Sequence, residues 1–166
     1  MNQNLSPRND ALYRIKRGLS GYVSYLAACD MNEAFSEYVL YEPTLRILTA
    51  RGFTVQCEYP CPGFQKTGPG DFKKIDFVAE GNGEMFALEM KWARAKTINV
   101  GGDIEKLKKY SASFPRANAY LCIFGRKSHI SEMSLKSADL KERGKGVYAE
   151  FGVTKYGCRI YELKNG

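Results

Sequence analysis

The sequence predicts one mixed α/β domain in which helices flank a central sheet. Helical periodicity dominates the chain before residue 53, short β-rich segments follow it, and a further helix precedes a buried strand. The resulting order is ααβββαβ with additions at the C-terminal end, which is typical of an α/β sandwich. A length of 166 residues with 44% hydrophobic residues suits a single core. We therefore expect one domain over residues 1–166, with its core at about 30–125.

The first predicted helix begins at Ser6-Pro7. A serine before a helix caps its free amides, and a proline in the first turn loses no hydrogen bond. Apolar residues then recur at helical spacing, which predicts the face that packs on the core. They are Leu12, Ile15, Leu19, Tyr22, Val23 and Leu26.

The second predicted helix begins at Asp30. Glu33 follows at the spacing of a capping box, and Gly52 supplies the C-terminal stop. Pro43 lies inside this stretch and has no amide to donate, so we expect a kink or a restart near Glu42.

The remaining elements follow from β-rich runs and turn residues. Three strands are predicted, over 53–59, 73–79 and 85–92. A Gly/Pro loop over 61–71 separates the first two. A helix over 103–113 and a buried strand over 119–124 come next. The tail predicts a helix over 131–142 and a terminal hairpin of 147–153 with 158–163.

Composition restricts the possible function. The net charge of +7 favours a polyanionic partner such as nucleic acid. The only histidine, His129, excludes chemistry that needs two imidazoles, and we assign it no catalytic role. Five cysteines without a CxxC pair indicate reduced thiols rather than a zinc site. No apolar run resembles a signal peptide or a membrane span, so we expect a cytoplasmic, nucleoid-associated protein without membrane contact.

The informative chemistry lies in the hairpin formed by the second and third strands. Asn82-Gly83 favours a two-residue type I′ turn, which pairs Gly81 with Glu84. The same register places Asp76 opposite Glu89, with Lys91 on the same face of the hairpin.

Two opposed carboxylates about 5 Å apart repel by roughly 3 kcal/mol at an effective dielectric near 20. A neighbouring lysine or a hard cation must offset this repulsion. Two carboxylates that leave room for water suit Mg²⁺. A metal beside an ammonium group can polarise a phosphodiester and activate a water for attack. The alternative is an ordinary surface hairpin with cross-strand charge pairs.

The segments KKIDFVAEG and FALEMKWA resemble the PD-(D/E)XK, or restriction-endonuclease-like, nuclease superfamily. The resemblance covers about residues 37–124 and includes the order αβββαβ, a mixed sheet flanked by helices. It implies a Mg²⁺-dependent nuclease, with Mn²⁺ as a substitute. Asp76 and Glu89 would bind the metal together with the Met90 main-chain carbonyl, and Lys91 would assist the attacking water.

The resemblance also implies an acidic residue from the preceding helix. Glu42 is the preferred candidate and Glu37 its competitor. Ile75 stands where the motif has its nominal proline, and Asp71 in the Gly/Pro loop is an alternative motif acid outside the hairpin register. Glu42 could instead cap a helix that restarts at Pro43.

We expect four lysines to contact DNA phosphates, although the same residues could form a solvated helix face; they are Lys96, Lys106, Lys108 and Lys109. Trp92 and Tyr110 are expected in the core rather than against bases. The resemblance favours DNA over RNA, water as the nucleophile, a 5′-phosphate product and a homodimer. The chain has no room for a separate sequence-reading domain, which favours structure-selective or weakly sequence-selective cleavage of duplex or branched DNA.

Two other function classes remain open at this stage. The chain could be a catalytically inactive member of the superfamily that binds nucleic acid or protein. It could also be an interaction protein with a coincidental motif, which would bind no metal at the acidic cluster.

Overall fold

A computed structural model describes residues 5–31, 35–64, 68, 72–149 and 152–164. The helices are α1 (Pro7–Ala28), α2 (Tyr41–Ala50), α3 (Gly101–Ser113) and α4 (Lys127–Ile130), and a 3-10 helix, Glu37–Leu40, precedes α2. The strands are β1 (Thr54–Pro60), β2 (Lys74–Gly81), β3 (Glu84–Ala93), β4 (Asn118–Arg126), β5 (Leu140–Glu142), β6 (Val147–Tyr148) and β7 (Tyr156–Leu163).

These strands form one sheet in the order β1-β2-β3-β4-β7-β5, with β6 also paired to β7. β3 and β4 are parallel and α3 connects them, whereas the other pairs are antiparallel. A parallel pair needs such a crossover, because its strands must both begin at the same end of the sheet. The predicted mixed α/β fold of the restriction-endonuclease type is confirmed.

The sheet separates two apolar clusters. α1 and α2 pack on one face, where Phe77, Leu88 and Tyr120 are fully buried. α3 packs on the opposite face, where Leu107 and Leu121 are fully buried. Because both faces are covered, a charged side chain in the middle of β3 has to lie in an apolar interior.

α1 begins where the sequence predicts. The Ser6 hydroxyl accepts a hydrogen bond from the Asn9 amide and so caps the helix. The Ser6 hydroxyl also donates to Glu84, and the Arg8 amide donates to the same carboxylate. These bonds attach the start of α1 to the first residue of β3. None of the described helices has the length and apolarity to cross a membrane.

The predicted second helix is wrong at its N-terminal end. Asp30 follows α1 with a positive φ of 57°, and its amide donates to the Ala27 carbonyl in a terminal turn. Glu33 lies outside the described residues. The expected break near Pro43 is confirmed, since the 3-10 helix gives way to α2 at Tyr41 and places Pro43 in the first turn.

The predicted helix over 131–142 is also wrong. α4 ends at Ile130, and Leu140 instead pairs with Leu163 of β7. That pairing joins residues far apart in sequence, so local periodicity carries no sign of it. In the terminal hairpin, Val147 pairs with Cys158 in the expected antiparallel arrangement. The part of that hairpin at 150–151 lies outside the described residues.

Candidate active site

The β2–β3 hairpin adopts the predicted register. Asn82 and Gly83 both have positive φ, at 55° and 73°, as a type I′ turn requires. The strand pairs run from Gly81–Glu84 to Phe77–Leu88. One residue further on, at Asp76, the main-chain pairing stops.

Asp76 bonds to β3 through its side chain. The Met90 amide donates to Asp76 Oδ2 over 2.6 Å, and the Tyr41 hydroxyl donates to Oδ1. Burial raises the pKa of Asp76, although these two hydrogen bonds and Lys106 oppose the rise. Burial and the Asp76 charge also raise the pKa of Tyr41, so the phenol remains protonated and can donate. Asp76 is thus fixed between α2 and β3.

Glu89 lies on β3 in the apolar interior, and its side chain is only 1% exposed. Lys106 Nζ lies 2.6 Å from Glu89 Oε2. Glu89 Oε1 is buried and has no hydrogen-bond partner among the described residues. Burial, followed by the nearby Asp76 charge, raises the pKa of Glu89 to about 8. The carboxylate therefore lacks the full neutralisation that a buried charge requires.

α3 supplies two charged groups to this site. Asp103 lies 3.1 Å from Lys91 Nζ and 3.6 Å from Lys106 Nζ, so one carboxylate serves both lysines. Lys106 Nζ also donates to the Lys74 carbonyl over 3.0 Å. Burial alone would lower the pKa of Lys106, but Glu89 and Asp103 raise it overall. Lys106 is therefore a cation inside the site.

Glu37 reaches this region and Glu42 does not. Glu37 Oε1 accepts a hydrogen bond from the Trp92 amide over 3.1 Å, and the Glu37 charge contributes to the raised pKa of Asp76. The Glu42 side chain is 64% exposed and pairs with Arg46 one turn along α2. The preferred helix acid is therefore placed on the surface, because α2 restarts at Tyr41 and turns Glu42 outward.

Three of the four lysines expected to contact DNA are engaged within the protein. Lys106 binds Glu89, Lys108 pairs with Asp139 at 2.9 Å, and Lys109 donates to the Gly63 carbonyl over 3.0 Å. Lys96 is exposed in the loop before α3. Lysine content alone could not distinguish these roles, because partners such as Asp139 come from distant segments.

The remaining predicted residues have simpler placements. Ile75 and Tyr110 are fully buried, whereas Trp92 is only half-buried. His129 lies on α4, where Nδ1 is 3.4 Å from the Ala93 carbonyl oxygen. Asp71 lies outside the described residues.

The residues at this site fit a hard divalent cation. Within the described ranges, no three His, Cys, Asp or Glu side chains converge on one ligand point. Glu89 Oε1 nevertheless offers a buried oxygen without a partner, and Asp76 offers a second carboxylate close enough to perturb it. Mg²⁺ binds through one or two carboxylates and keeps several waters, so two such groups suffice.

Sequence reasoning missed three participants: Tyr41, Asp103 and Lys106 as a partner of Glu89. Asp103 and Lys106 are separated by one helical turn and so occupy neighbouring positions on α3. Both charged residues flank the apolar positions Ile104 and Leu107. This pattern could have indicated that α3 packs against a strand with charged side chains. No sequence signal marked Tyr41.

The sequence profile of the archaeal Holliday junction resolvase (Hjc) family matches residues 45–164. A comparison with individually curated proteins gives no match. The matched segment contains β1 to β7 and therefore Asp76, Glu89, Lys91 and Lys106, whereas α1 and Glu37 precede it. Since the match covers well over half of the chain, this protein belongs to the archaeal Holliday junction resolvase family of PD-(D/E)XK nucleases, whose members act on DNA junctions.

Proposed function

We propose that this protein is a metal-dependent endonuclease that cuts DNA strands at four-way junctions. Mg²⁺ is the proposed cofactor and Mn²⁺ its substitute. The observation that carries the proposal is the buried Glu89, whose Oε1 has no partner among the described residues and which lies beside Asp76. A chain that keeps an incompletely compensated carboxyl group in its interior gives up stability, and such sites are often functional.

In this proposal Asp76 and Glu89 hold the metal, with the Met90 carbonyl as a further ligand. The bound metal would polarise the phosphate and acidify a water. Tyr41 acts as a positioning residue, because its hydroxyl fixes the Asp76 carboxylate. Glu37 replaces Glu42 as the acidic residue from the helical side, since its charge already acts on Asp76.

Two lysines have distinct proposed tasks. Lys91 orients the attacking water, and Asp103 holds its ammonium group in reach of the site. Lys106 offsets the Glu89 charge before metal binds. Water would add to phosphorus as the bond to the 3′-oxygen breaks, with a proton passing to that oxygen. The product strand would carry a 5′-phosphate.

The proposed partners are DNA, in preference to RNA, and a second copy of the chain. A four-way junction presents two equivalent strands for cutting, and a twofold-symmetric dimer can place one site on each. This proposal also implies that the protein is located with cellular DNA.

Cleavage assays test the function directly. A labelled four-way junction and a linear duplex of the same sequence are incubated with Mg²⁺, Mn²⁺ or EDTA. We expect junction cleavage with either metal, none with EDTA, and at least 100-fold slower cleavage by Glu89→Gln or Lys91→Ala. Glu105→Gln, which removes an exposed carboxylate from α3, provides the matched control.

Cleavage that persists in EDTA and in Lys91→Ala would contradict the metal mechanism. Tight, salt-dependent junction binding without cleavage in any metal would instead favour the inactive binding module.

A further inference from the structure

A small cleft opens at the end of the sheet where β3 and β4 finish. Its volume is about 280 Å³. We name it the aromatic–arginine cleft and define it by six of its lining residues: Phe35, Trp92, Arg94, Arg126, His129 and Tyr156. Ligand sites in open α/β sheets favour the carboxyl ends of parallel strands, and β3 and β4 are the parallel pair here.

Three aromatic rings form the floor of this cleft. The ring centroids of Phe35 and Trp92 are 5.3 Å apart, and those of Trp92 and Tyr156 are 5.9 Å apart at an interplanar angle of 32°. Phe35 and Tyr156 are buried, whereas Trp92 is half-buried and is the most exposed of the three aromatic residues. A floor of this kind suits a planar group such as a nucleobase.

The rim of the cleft is cationic, and the described residues that line it include no carboxylate. Most arginines that the structure describes are ion-paired to carboxylates, namely Arg8, Arg14, Arg46, Arg51, Arg143 and Arg159. Arg94 and Arg126 are exposed and have no acidic partner within the described ranges. Two guanidinium groups without carboxylates, facing one cleft, match the forked geometry that binds phosphate.

The cleft adjoins the candidate active site. Glu37 accepts its hydrogen bond from the main-chain amide of Trp92, whose ring forms the cleft floor. Trp92 follows Lys91 directly and lies three residues, or about 10 Å, along β3 from Glu89. Because side chains alternate along a strand, the Trp92 ring lies on the face of the sheet opposite Glu89 and Lys91. Glu37, whose charge acts on Asp76, links the cleft to the active site.

We propose that the aromatic–arginine cleft binds one unstacked nucleotide of the substrate strand, at the end of the sheet next to Glu37. The base lies against Trp92, and Arg94 and Arg126 hold its phosphate. A cleft of this size cannot admit a duplex, whereas the branch point of a junction can supply a nucleotide whose base has left the stack. This inference rests on the proposed function and adds to it a site that selects branched DNA.

Trp92 reports on this cleft without any labelling, because it is the only tryptophan of the chain. In the full-length protein with EDTA, we expect the four-way junction to quench Trp92 fluorescence. A linear duplex of the same sequence should quench it much less at equal saturation. Unchanged Trp92 emission on saturation with the junction would overturn the inference.

Binding measurements with arginine variants provide the second test. Arg94→Gln/Arg126→Gln should weaken junction binding by about tenfold or more and lower the salt slope by about two. Arg116→Gln is the matched control, because Arg116 is also exposed and has no acidic partner among the described residues. It should change the affinity less than twofold. Since all three side chains lie on the surface, unchanged melting temperatures should show that the variants fold.

The two proposals fail in different ways. If the wild-type protein binds and cuts junctions while the double variant binds as tightly as Arg116→Gln, the cleft inference is wrong and the function stands. If the wild-type protein neither binds nor cuts junctions, the proposed function fails first.

Discussion

Glu89 has a carboxylate in a place where charge is costly. Its side chain is almost completely buried, and Lys106 neutralises only one of its two oxygens. Burial, followed by repulsion from the nearby Asp76, raises the pKa of Glu89 to about 8. The ionised form of Glu89 is therefore destabilised, and a bound divalent cation would stabilise it.

This raised pKa predicts how the metal-free protein responds to pH. An unfolded glutamate has a pKa of about 4.3, so the folded chain binds this proton more tightly than the unfolded chain. The stabilisation is present at pH 4 and is lost as pH rises towards 8. In EDTA, we expect the free energy of unfolding to fall over this range by an amount on the order of a few kcal/mol.

Urea unfolding at a series of pH values measures this effect. Glu89→Gln should show a flatter profile between pH 5 and 8, because its amide does not titrate. Equal slopes in the two proteins would contradict the prediction.

Glu37 and Glu42 give opposite expectations for the same chemical change. Glu37→Gln should slow junction cleavage about 10- to 100-fold, because its charge acts on Asp76 and its oxygen holds the Trp92 amide. Glu42→Gln should leave cleavage within twofold, since Glu42 is exposed and Arg46 is its only ion-pair partner among the described residues. Single-turnover rates at saturating Mg²⁺ distinguish the two. A larger loss in Glu42→Gln would restore the helix acid that the sequence favoured.

The main candidate residues could be predicted because they lie within one hairpin. A turn type and a period of two were enough to bring Asp76 near Glu89. The helix acid could not be predicted, because a one-residue shift in where α2 starts rotates each side chain by about 100°. Lys106 was predicted to contact DNA, and its pairing with Glu89 was missed because that contact depends on how α3 packs across the sheet.

At the scale of elements, the β2–β3 hairpin is held at its turn by close backbone packing. A Cβ at Gly81 would lie 2.4 Å from the Gly52 carbonyl oxygen and 3.1 Å from Phe53 Cα. Both neighbours are main-chain atoms at the junction of α2 and β1, so they cannot move like a flexible side chain. The hairpin and α2 therefore fix each other's position, and with it the register of the candidate site.

Gly81→Ala should lower the free energy of unfolding by about 1–3 kcal/mol through this overlap. The matched control is Gly21→Ala in α1, where a Cβ meets nothing within 4 Å. It should raise stability by about 0.5–1 kcal/mol, because alanine favours a helix interior over glycine. Urea unfolding of both variants checks the opposite signs. A neutral Gly81→Ala would mean that the hairpin tolerates a shift against α2.

Elements with strong local signals were predicted well, including α1, α3 and the first four strands. The errors occur where long-range pairing decides the structure. β5 is only three residues long and exists because β7 offers an unpaired edge. The error at Asp30 has a local cause instead. Aspartate is common both at helix starts and in turns, and here Asp30 lies in the turn that follows α1.

For the whole molecule, the proposed dimer predicts a mass of about twice 18.7 kDa in solution. The physical reason is that two strands of a junction need two sites related by symmetry. Sedimentation equilibrium with and without a four-way junction measures this mass. A protein that remains monomeric on a saturated junction would contradict the dimer and would require the two strands to be cut in separate encounters.

α1 precedes the segment shared with the family, yet it covers one face of the sheet. Its residues Ala11, Ile15, Leu19 and Val23 face the sheet and are at most 1% exposed. A fragment that began at residue 45 would leave their apolar partners in water, and such an uncovered face favours aggregation. The unit that folds is therefore longer than the segment that matches the family profile, and a variant trimmed to residues 45–164 should lose its stability and, with it, any nuclease activity.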